Sequence, residues 1–196
     1  MIVKVLEESG YENSLLGLSL SYYDHKTPIE EWWSQDKLTK AIKRGDLLSH
    51  RQGGHNKFIE SIQVWLYIQA SRDFWQEFDT YRVGMSKNSS STMHTLDKRA
   101  VDSTDFEEGT SELSIEAFNQ CLLEYKDETS IYYKNVSRLK KNLPEGWLQE
   151  RVVCTNYKCL QNIYSQRVKH RLEQWKYFTN ELLNQLKYPN FVREQQ

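Results

Sequence analysis

The spacing of apolar residues changes along the chain, and each change predicts an element. Apolar and polar residues alternate from Ile62 to Ile68, a period of two that is typical of a half-buried strand. The β-branched run Ile2 to Leu6 predicts a strand that ends before Gly10. The segment LPEGWLQERVVCT contains a Pro/Gly turn followed by a further short strand.

Helical spacing dominates most of the remaining chain. It predicts helices in ENSLLGLSLSYY, in IEEWWSQDKLTKAIKR up to Gly45, in SRDFWQEFDTYR, in SIEAFNQCLLEYKD and from Asn156 toward Leu186. We found no internal repeat in the sequence. Strands interspersed with helices predict a mixed α/β (α+β) fold, and the length of 196 residues predicts a single domain over residues 1–196.

Residues 77–94, EFDTYRVGMSKNSSSTMH, are poor in apolar side chains and predict a loop after a helix end. Arg82 precedes hydroxyl residues at 89–92, so one interpretation is a polar cradle for an oxyanion or a sugar. A flexible serine linker is the other interpretation. Residues 97–114 are rich in acidic and hydroxyl side chains and predict a solvated connection without chemistry.

Composition narrows the class of protein. Hydrophobic residues make up 38% and aromatic residues 13%, which predicts a folded chain. The 26 basic and 27 acidic side chains leave no net field to hold a polyanion, so we expect no nucleic acid partner. Three cysteines lack metal-ligand spacing and predict reduced thiols, with no metal site. No leader and no apolar run of about 20 residues is present, so we expect a cytoplasmic protein away from membranes.

The last helical region carries the clearest geometric pattern. Asn156 and Arg167 are separated by eleven residues, about three helical turns, and therefore return to nearly the same face, whereas Asn162 points to another side. Both could line one cleft. Asn156 also suits a helix N-cap, and Arg167 suits a surface ion pair. These alternatives stay open on spacing alone.

These residues resemble the motifs of the flavin-dependent thymidylate synthases, the ThyX family, and the similarity is dispersed over most of the chain. The family signature is Arg-His-Arg, seven residues and then Ser. Here Thr80-Tyr81-Arg82 is followed after seven residues by Ser90, which keeps the last arginine and the serine. Gly54-His55 and Glu60 resemble a second family segment, and Asn156, Asn162 and Arg167 resemble a third.

The resemblance implies a homotetramer with sites built from several chains, bound FAD, and methylation of dUMP with methylenetetrahydrofolate and NADPH. It implies that Arg167 acts on the pyrimidine ring as the catalytic residue and that further residues contact the cofactor: His55, Arg82, Asn156, Lys158 and Asn162. Substrate contacts are implied for Arg82, Ser89, Ser90, Ser91, Lys140 and Arg167, with the phosphate held by all but Arg167.

Thr80 and Tyr81 stand where the family has an arginine and a histidine that grip the flavin, and Thr92 replaces a further arginine. The sequence also resembles uncharacterised ThyX-like proteins that bacteriophages and prophages often encode. Three hypotheses follow. The chain is a divergent flavoenzyme acting on a pyrimidine deoxynucleotide, a flavin-less nucleotide-binding or regulatory phage protein with the same fold, or a structural interaction protein.

Overall fold

The computed structural model describes residues 1–51 and 53–193. Four strands alternate with nine α-helices in this part of the chain, in the order β1 (Ile2–Ser9), α1 (Tyr11–Ser19), α2 (Ile29–Trp32), α3 (Gln35–Leu48), β2 (Gln63–Ser71), α4 (Arg72–Phe78), β3 (Ser86–Ser89), α5 (Thr92–Thr95), α6 (Glu112–Lys126), α7 (Val136–Asn142), β4 (Leu148–Asn156), α8 (Tyr157–Arg167) and α9 (Glu173–Gln185). The strands form one sheet in the order β1-β2-β4-β3. The predicted mixed α/β fold is confirmed.

The strand predictions with a clear period are confirmed. Residues 62–68 fall in or next to β2, where Val64, Leu66 and Ile68 are buried and the intervening side chains are more exposed. Strand β1 extends beyond the predicted run to Ser9, and Gly10 then adopts a φ of 85° at the start of α1. A left-handed φ suits glycine because it has no Cβ to clash with the backbone.

The predicted helix across residues 29–44 is wrong in two respects. Trp33 is extended and Ser34 caps a new helix by accepting a hydrogen bond from the backbone N–H of Lys37, so α2 and α3 are separate. Gly45 does not end α3, which continues to Leu48. A Cβ at Gly45 would lie 2.8 Å from Cζ of Phe191, so this glycine allows close packing.

The predicted loop at residues 77–94 is also shorter than expected, because it contains β3 and the short helix α5. Ser90 continues the pairing of β3, since its backbone N–H donates to the carbonyl of Glu150 (2.9 Å). The connection at residues 97–114 is only partly solvated. Val101 and Phe106 are buried and pack in a core cluster with Phe118 of α6. The acidic composition of this segment gave no indication of that packing.

The described chain divides into two compact units. Unit 1 contains residues 1–2, 68–80 and 88–152, and unit 2 contains the described residues of 3–67, 81–87 and 153–193. The large buried side chains of unit 1 include Phe74, Trp75 and Phe118. Those of unit 2 include Trp175 and Tyr157. That residues 1–196 form a single domain stays a prediction. Across the described residues, we find no helix long and apolar enough to cross a membrane.

Candidate functional site

Arg167, the last residue of α8, is held by three side chains of unit 2. Its Nε donates to Oη of Tyr81 (2.8 Å) and its Nη1 donates to Nε2 of His170 (2.9 Å), because a guanidinium can only donate. Its Cζ lies 4.4 Å from the ring centroid of Trp175, which is a cation–π contact. Trp175 is fully buried, so this platform is fixed by the core. The cation of Arg167 is therefore preorganised.

Asn162 is connected to Arg167 through two further side chains. The hydroxyl of Tyr81 donates to Oε1 of Gln166 (3.0 Å), and Nε2 of Gln166 donates to Oδ1 of Asn162 (3.0 Å). Asn162 and Gln166 are one turn apart on α8, and both are exposed. The two residues expected to contact ring ligands thus belong to one chain of hydrogen bonds.

Asn156 has the structural role that spacing alone left open. It is the N-cap of α8, and its Oδ1 accepts the backbone N–H of Cys159 (3.0 Å). Lys158 lies two residues further along, in the first turn of α8, and is half-buried, with its Nζ 3.4 Å from Oε1 of Gln161. At 1.5 Å per residue, Asn156 and Arg167 lie about 16 Å apart along the axis, so the same small ring cannot contact both.

His55 lies at a cavity of about 500 Å³ in unit 2. The cations Arg44 and Lys57 and the imidazole of His55 line the cavity, and none of the lining residues that the structure describes is acidic. Arg44 lies over the exposed ring of Tyr22, with Cζ 4.0 Å from the centroid. Gly54 has a φ of 88°, and a Cβ there would lie 3.0 Å from Cε of Lys57. This combination of cations and an aromatic face is suited to an anionic ligand with a planar ring.

The serine segment belongs to unit 1, where Ser90 faces a carboxylate. The hydroxyl of Ser90 donates to Oε2 of Glu150 (2.9 Å), and Nε2 of Gln69 donates to Oε1 of the same carboxylate (3.1 Å). Ser89 and Ser91 are exposed. The single proton of the Ser90 hydroxyl is thus engaged, so donating to a phosphate requires a change of partner.

Lys140 lies on α7 at another cavity, which belongs to unit 1 and is about 590 Å³ in volume. Lys141 and Arg72 also line it, together with Glu145, whose carboxylate is 3.4 Å from Nη2 of Arg72. Arg72 further donates to the carbonyl of Leu143 (2.6 Å). Lysine ammonium groups at this cavity are the cations with the greatest freedom to meet an anion.

The two arginine-motif positions differ in their surroundings. Thr80, in unit 1, is exposed and its hydroxyl donates to the backbone carbonyl of Glu77 (2.7 Å). Arg82, in unit 2, is exposed, and its guanidinium forms no hydrogen bond or ion pair with any residue in 1–51 or 53–193. Because no intramolecular contact with the described residues has to be broken, exchanging water for an anionic ligand at Arg82 costs little free energy.

Sequence reasoning did not identify four members of the cluster around Arg167 as its partners. Gln166 is four residues after Asn162 and His170 is three residues after Arg167, so helical spacing contained a signal for both. Trp175 gave no signal, because it reaches Arg167 only through the turn between α8 and α9. Tyr81 was read only as a departure from a motif, whereas its hydroxyl joins two hydrogen bonds of the cluster.

The model of one protein family, described as thymidylate synthase complementing protein, matches residues 17–187. The chain belongs to this family, ThyX. The match includes Arg167, Asn162 and every other residue for which a site role was predicted. No curated protein sequence matches the chain.

Solved structures share the fold at low sequence identity. A ThyX from Helicobacter pylori complexed with FAD and dUMP is 15% identical, with a TM-score of 0.78 over 98% of each chain. A second Helicobacter pylori ThyX structure with FAD and dUMP is 16% identical, with a TM-score of 0.75 over 96% of this chain and 95% of that one. The UMP/dUMP methylase PolB from Streptomyces cacaoi, bound with 5-Br dUMP, is 13% identical, with a TM-score of 0.60 over 97% and 93%.

Proposed function

We propose that this ThyX-family chain binds a pyrimidine deoxynucleotide of the dUMP type, with Arg167 as the cation that faces the base. The observation that carries the proposal is the fixed guanidinium of Arg167, held by Tyr81, His170 and Trp175. A preorganised cation stabilises negative charge on a ring imide without reorganising at the moment of binding or reaction. The family and the dUMP named for its solved relatives support the same ligand class.

Phosphate contacts are proposed for Arg82, for Ser89–Ser91 and for Lys140. Arg82 and Lys140 are exposed cations, and each suits the charge of a phosphate. In the serine segment, Ser89 and Ser91 are the exposed hydroxyls, while Ser90 is paired with Glu150. We therefore expect the two arginines to act unequally, with Arg82 contributing to phosphate binding and Arg167 to binding of the base.

FAD is the cofactor that we propose, and the donor set of unit 2 suits it. Arg44 and Lys57 supply positive charge around one cavity, His55 adds a ring nitrogen, and the described lining includes no acidic residue, which fits a diphosphate. Asn162 and Lys158 offer further donors on α8, and Asn156 adds its own while it caps the helix. A bound flavin supplies the redox chemistry. NADPH and methylenetetrahydrofolate follow only for a chain that retains methyl transfer.

A flavin-less nucleotide-binding or regulatory protein is the second candidate, and Tyr81 favours it. Its hydroxyl is engaged by Arg167 and Gln166, so this position holds the protein's own side chains where the family motif has a histidine. Thr80 has no charge to offer. Hydrogen bonds to charged groups contribute about 1.5–3 kcal/mol each, so losing two such contacts weakens a cofactor by several orders of magnitude unless other groups compensate.

Calorimetry with dUMP, dCMP and deoxyuridine tests the nucleotide proposal. Arg82→Ala should weaken the monophosphates much more than the nucleoside, because only the phosphate loses its partner. Arg167→Ala should weaken all three by about ten- to hundredfold, the loss of one charge-assisted contact. Arg171→Ala is the matched control, since Arg171 is an exposed arginine in the connection between α8 and α9. The proposal fails if the wild type binds none of the three ligands at millimolar concentration, with or without FAD.

The absorbance spectrum of freshly purified protein, with mass spectrometry of any ligand released on denaturation, separates the two candidates. A flavin spectrum and a released mass of FAD support the flavoenzyme. Nucleotide binding without flavin, even after FAD is added, supports the second candidate.

Assembly and location are part of the same proposal. We propose a homotetramer in the cytoplasm, or in the host cytoplasm for a phage-encoded chain, because ThyX-type sites combine distant segments. Light scattering should give about four times the chain mass of 23.4 kDa. A mass of one chain at every concentration would contradict the tetramer.

A further inference from the structure

We infer that Tyr81 is a positioning residue that fixes Asn162 as a hydrogen-bond donor toward the ligand. The inference rests on the proposed function and adds the chemistry that the ligand must present at this edge. Three side chains, Tyr81, Gln166 and Asn162, form what we call the donor relay, which begins at Nε of Arg167.

The direction of the donor relay is set at Arg167. A guanidinium N–H can only donate, so the oxygen of Tyr81 must accept at this contact (2.8 Å). A hydroxyl carries one proton, and the hydroxyl of Tyr81 donates it to Oε1 of Gln166 (3.0 Å). The hydroxyl proton of Tyr81 therefore points to Gln166, whose carbonyl oxygen must face it.

The same logic continues to the end of the relay. With Oε1 facing Tyr81, Gln166 presents its amide nitrogen to Asn162 (3.0 Å), which must answer with Oδ1. The amide nitrogen Nδ2 of Asn162 is then left at the free edge of the side chain. It has no hydrogen-bond partner among residues 1–51 and 53–193, and Asn162 is exposed. Asn162 thus presents N–H donors to an incoming ligand.

Arg167 and Asn162 together make this edge of unit 2 a set of donors. Donors recognise a ring that bears carbonyl oxygens, as the imide edge –CO–NH–CO– does. Uracil and isoalloxazine both carry this edge, whereas cytosine replaces one carbonyl with an amino group, itself a donor. An N–H group of the protein that faces the amino group of cytosine leaves both donors without an acceptor, which disfavours the binding of cytosine. The donor relay therefore selects for a carbonyl-bearing ring.

Two conservative variants test the relay in opposite ways. Tyr81→Phe removes the hydroxyl and leaves Gln166 and Asn162 free to rotate their amides. Gln166→Glu keeps an acceptor for the hydroxyl of Tyr81 but presents only an acceptor oxygen to Asn162. The amide of Asn162 must then rotate so that its Nδ2 donates to the carboxylate and its Oδ1 points outward. The control is Tyr177→Phe, which removes a hydroxyl from an exposed tyrosine of α9.

The first measurement uses free protein and needs no ligand. In ¹⁵N NMR spectra, the Nε–H of Arg167 should exchange slowly with water in wild type and Tyr177→Phe and much faster in Tyr81→Phe. Equal exchange in wild type and Tyr81→Phe would overturn the relay.

The second measurement is the ratio of the dUMP and dCMP affinities, together with the FAD affinity of each variant. We expect wild type to prefer dUMP by about tenfold or more, Tyr81→Phe to lose much of that preference, and Gln166→Glu to shift it toward dCMP. A ratio, unlike a single affinity, is insensitive to the added charge of glutamate, because both nucleotides carry the same phosphate.

The two measurements separate the possible outcomes. If the variants alter the ratio of dUMP to dCMP affinities, the relay recognises uracil. If the ratio is unaltered but Gln166→Glu binds FAD more weakly, the relay recognises the flavin. Unaltered values for both ligands overturn the inference. A third outcome is slow exchange of the Arg167 Nε–H in a wild type that binds neither nucleotide nor flavin. This result would confirm the relay as a structural feature, but it would refute the proposed function and the role of the relay in ligand recognition.

Discussion

Gly84→Ala should be one of the more destabilising single-methyl changes in unit 2. Gly84 has a φ of 68°, in the left-handed region, and a Cβ there would lie 2.6 Å from Sγ of Cys159 and 3.3 Å from Nδ2 of Asn156. Placing a non-glycine residue at this φ costs about 1–2 kcal/mol. Non-bonded atoms normally stay about 3.5–4.0 Å apart, so the methyl group must also displace Cys159 by about 1 Å.

Overpacking of this kind costs about 1–3 kcal/mol, which brings the total to about 2–5 kcal/mol. Gly53→Ala is the matched control, because Gly53 has a φ of 77° and, among the described residues, its Cβ would meet no atom within 4 Å. Its cost should be the backbone part alone, about 1–2 kcal/mol.

Urea denaturation of both variants, followed by circular dichroism, measures the difference directly. The free energy of unfolding should fall further for Gly84→Ala than for Gly53→Ala, by about 1–3 kcal/mol. Ligand binding should also weaken in Gly84→Ala, since Asn156 caps α8 beside the clash. Equal free energies of unfolding for the two variants would refute the packing argument and leave only the φ effect.

Three further changes have definite expected results. Tyr157→Phe should lower the free energy of unfolding by about 1–3 kcal/mol, because the hydroxyl of buried Tyr157 donates a hydrogen bond to Glu8 (2.5 Å). Burial and this hydrogen bond raise the pKa of Tyr157 in the wild type, so a spectrophotometric titration should place it above the ordinary value of 10.0. Asp102→Ala should destabilise at neutral pH. Hydrogen bonds from Thr104 lower the pKa of Asp102, so its contribution is present above the unfolded pKa of 3.8 and is lost as the pH falls through the lower folded pKa. Glu150→Gln should tighten dUMP binding more than deoxyuridine binding, because it removes a negative charge beside the serine segment.

Each of these changes has its own control. Tyr177→Phe should leave the free energy of unfolding within about 0.5 kcal/mol of wild type, since Tyr177 is exposed. For Asp102→Ala, a stability loss that is the same at pH 7 and pH 3 would contradict the pKa argument. Glu108→Gln removes an exposed carboxylate elsewhere in unit 1, and an equal effect on dUMP binding would show that Glu150 acts only through net charge.

The sequence determined the elements wherever the period was unambiguous. Alternation at 62–68 specified β2, and helical spacing specified α6, because those patterns reflect which face must be buried. Asn156 could be recognised as a cap because capping is a local interaction with the next turn. The elements that sequence missed depend on distant contacts. Gly45 stays helical where Phe191 packs against it.

The candidate site divides along the same line. Arg167 was predicted from its helical spacing to Asn156 and from a resemblance to a family motif, and Asn162 was predicted from the resemblance alone; spacing and motif are both properties of the chain itself. The partners of Arg167 were decided by tertiary structure, because Tyr81 reaches it from 86 residues away and the ring of Trp175 is fixed by the buried core. Spacing identifies which side chains share a helix face. Only the packed structure decides which atoms meet, and therefore which way each hydrogen bond must point.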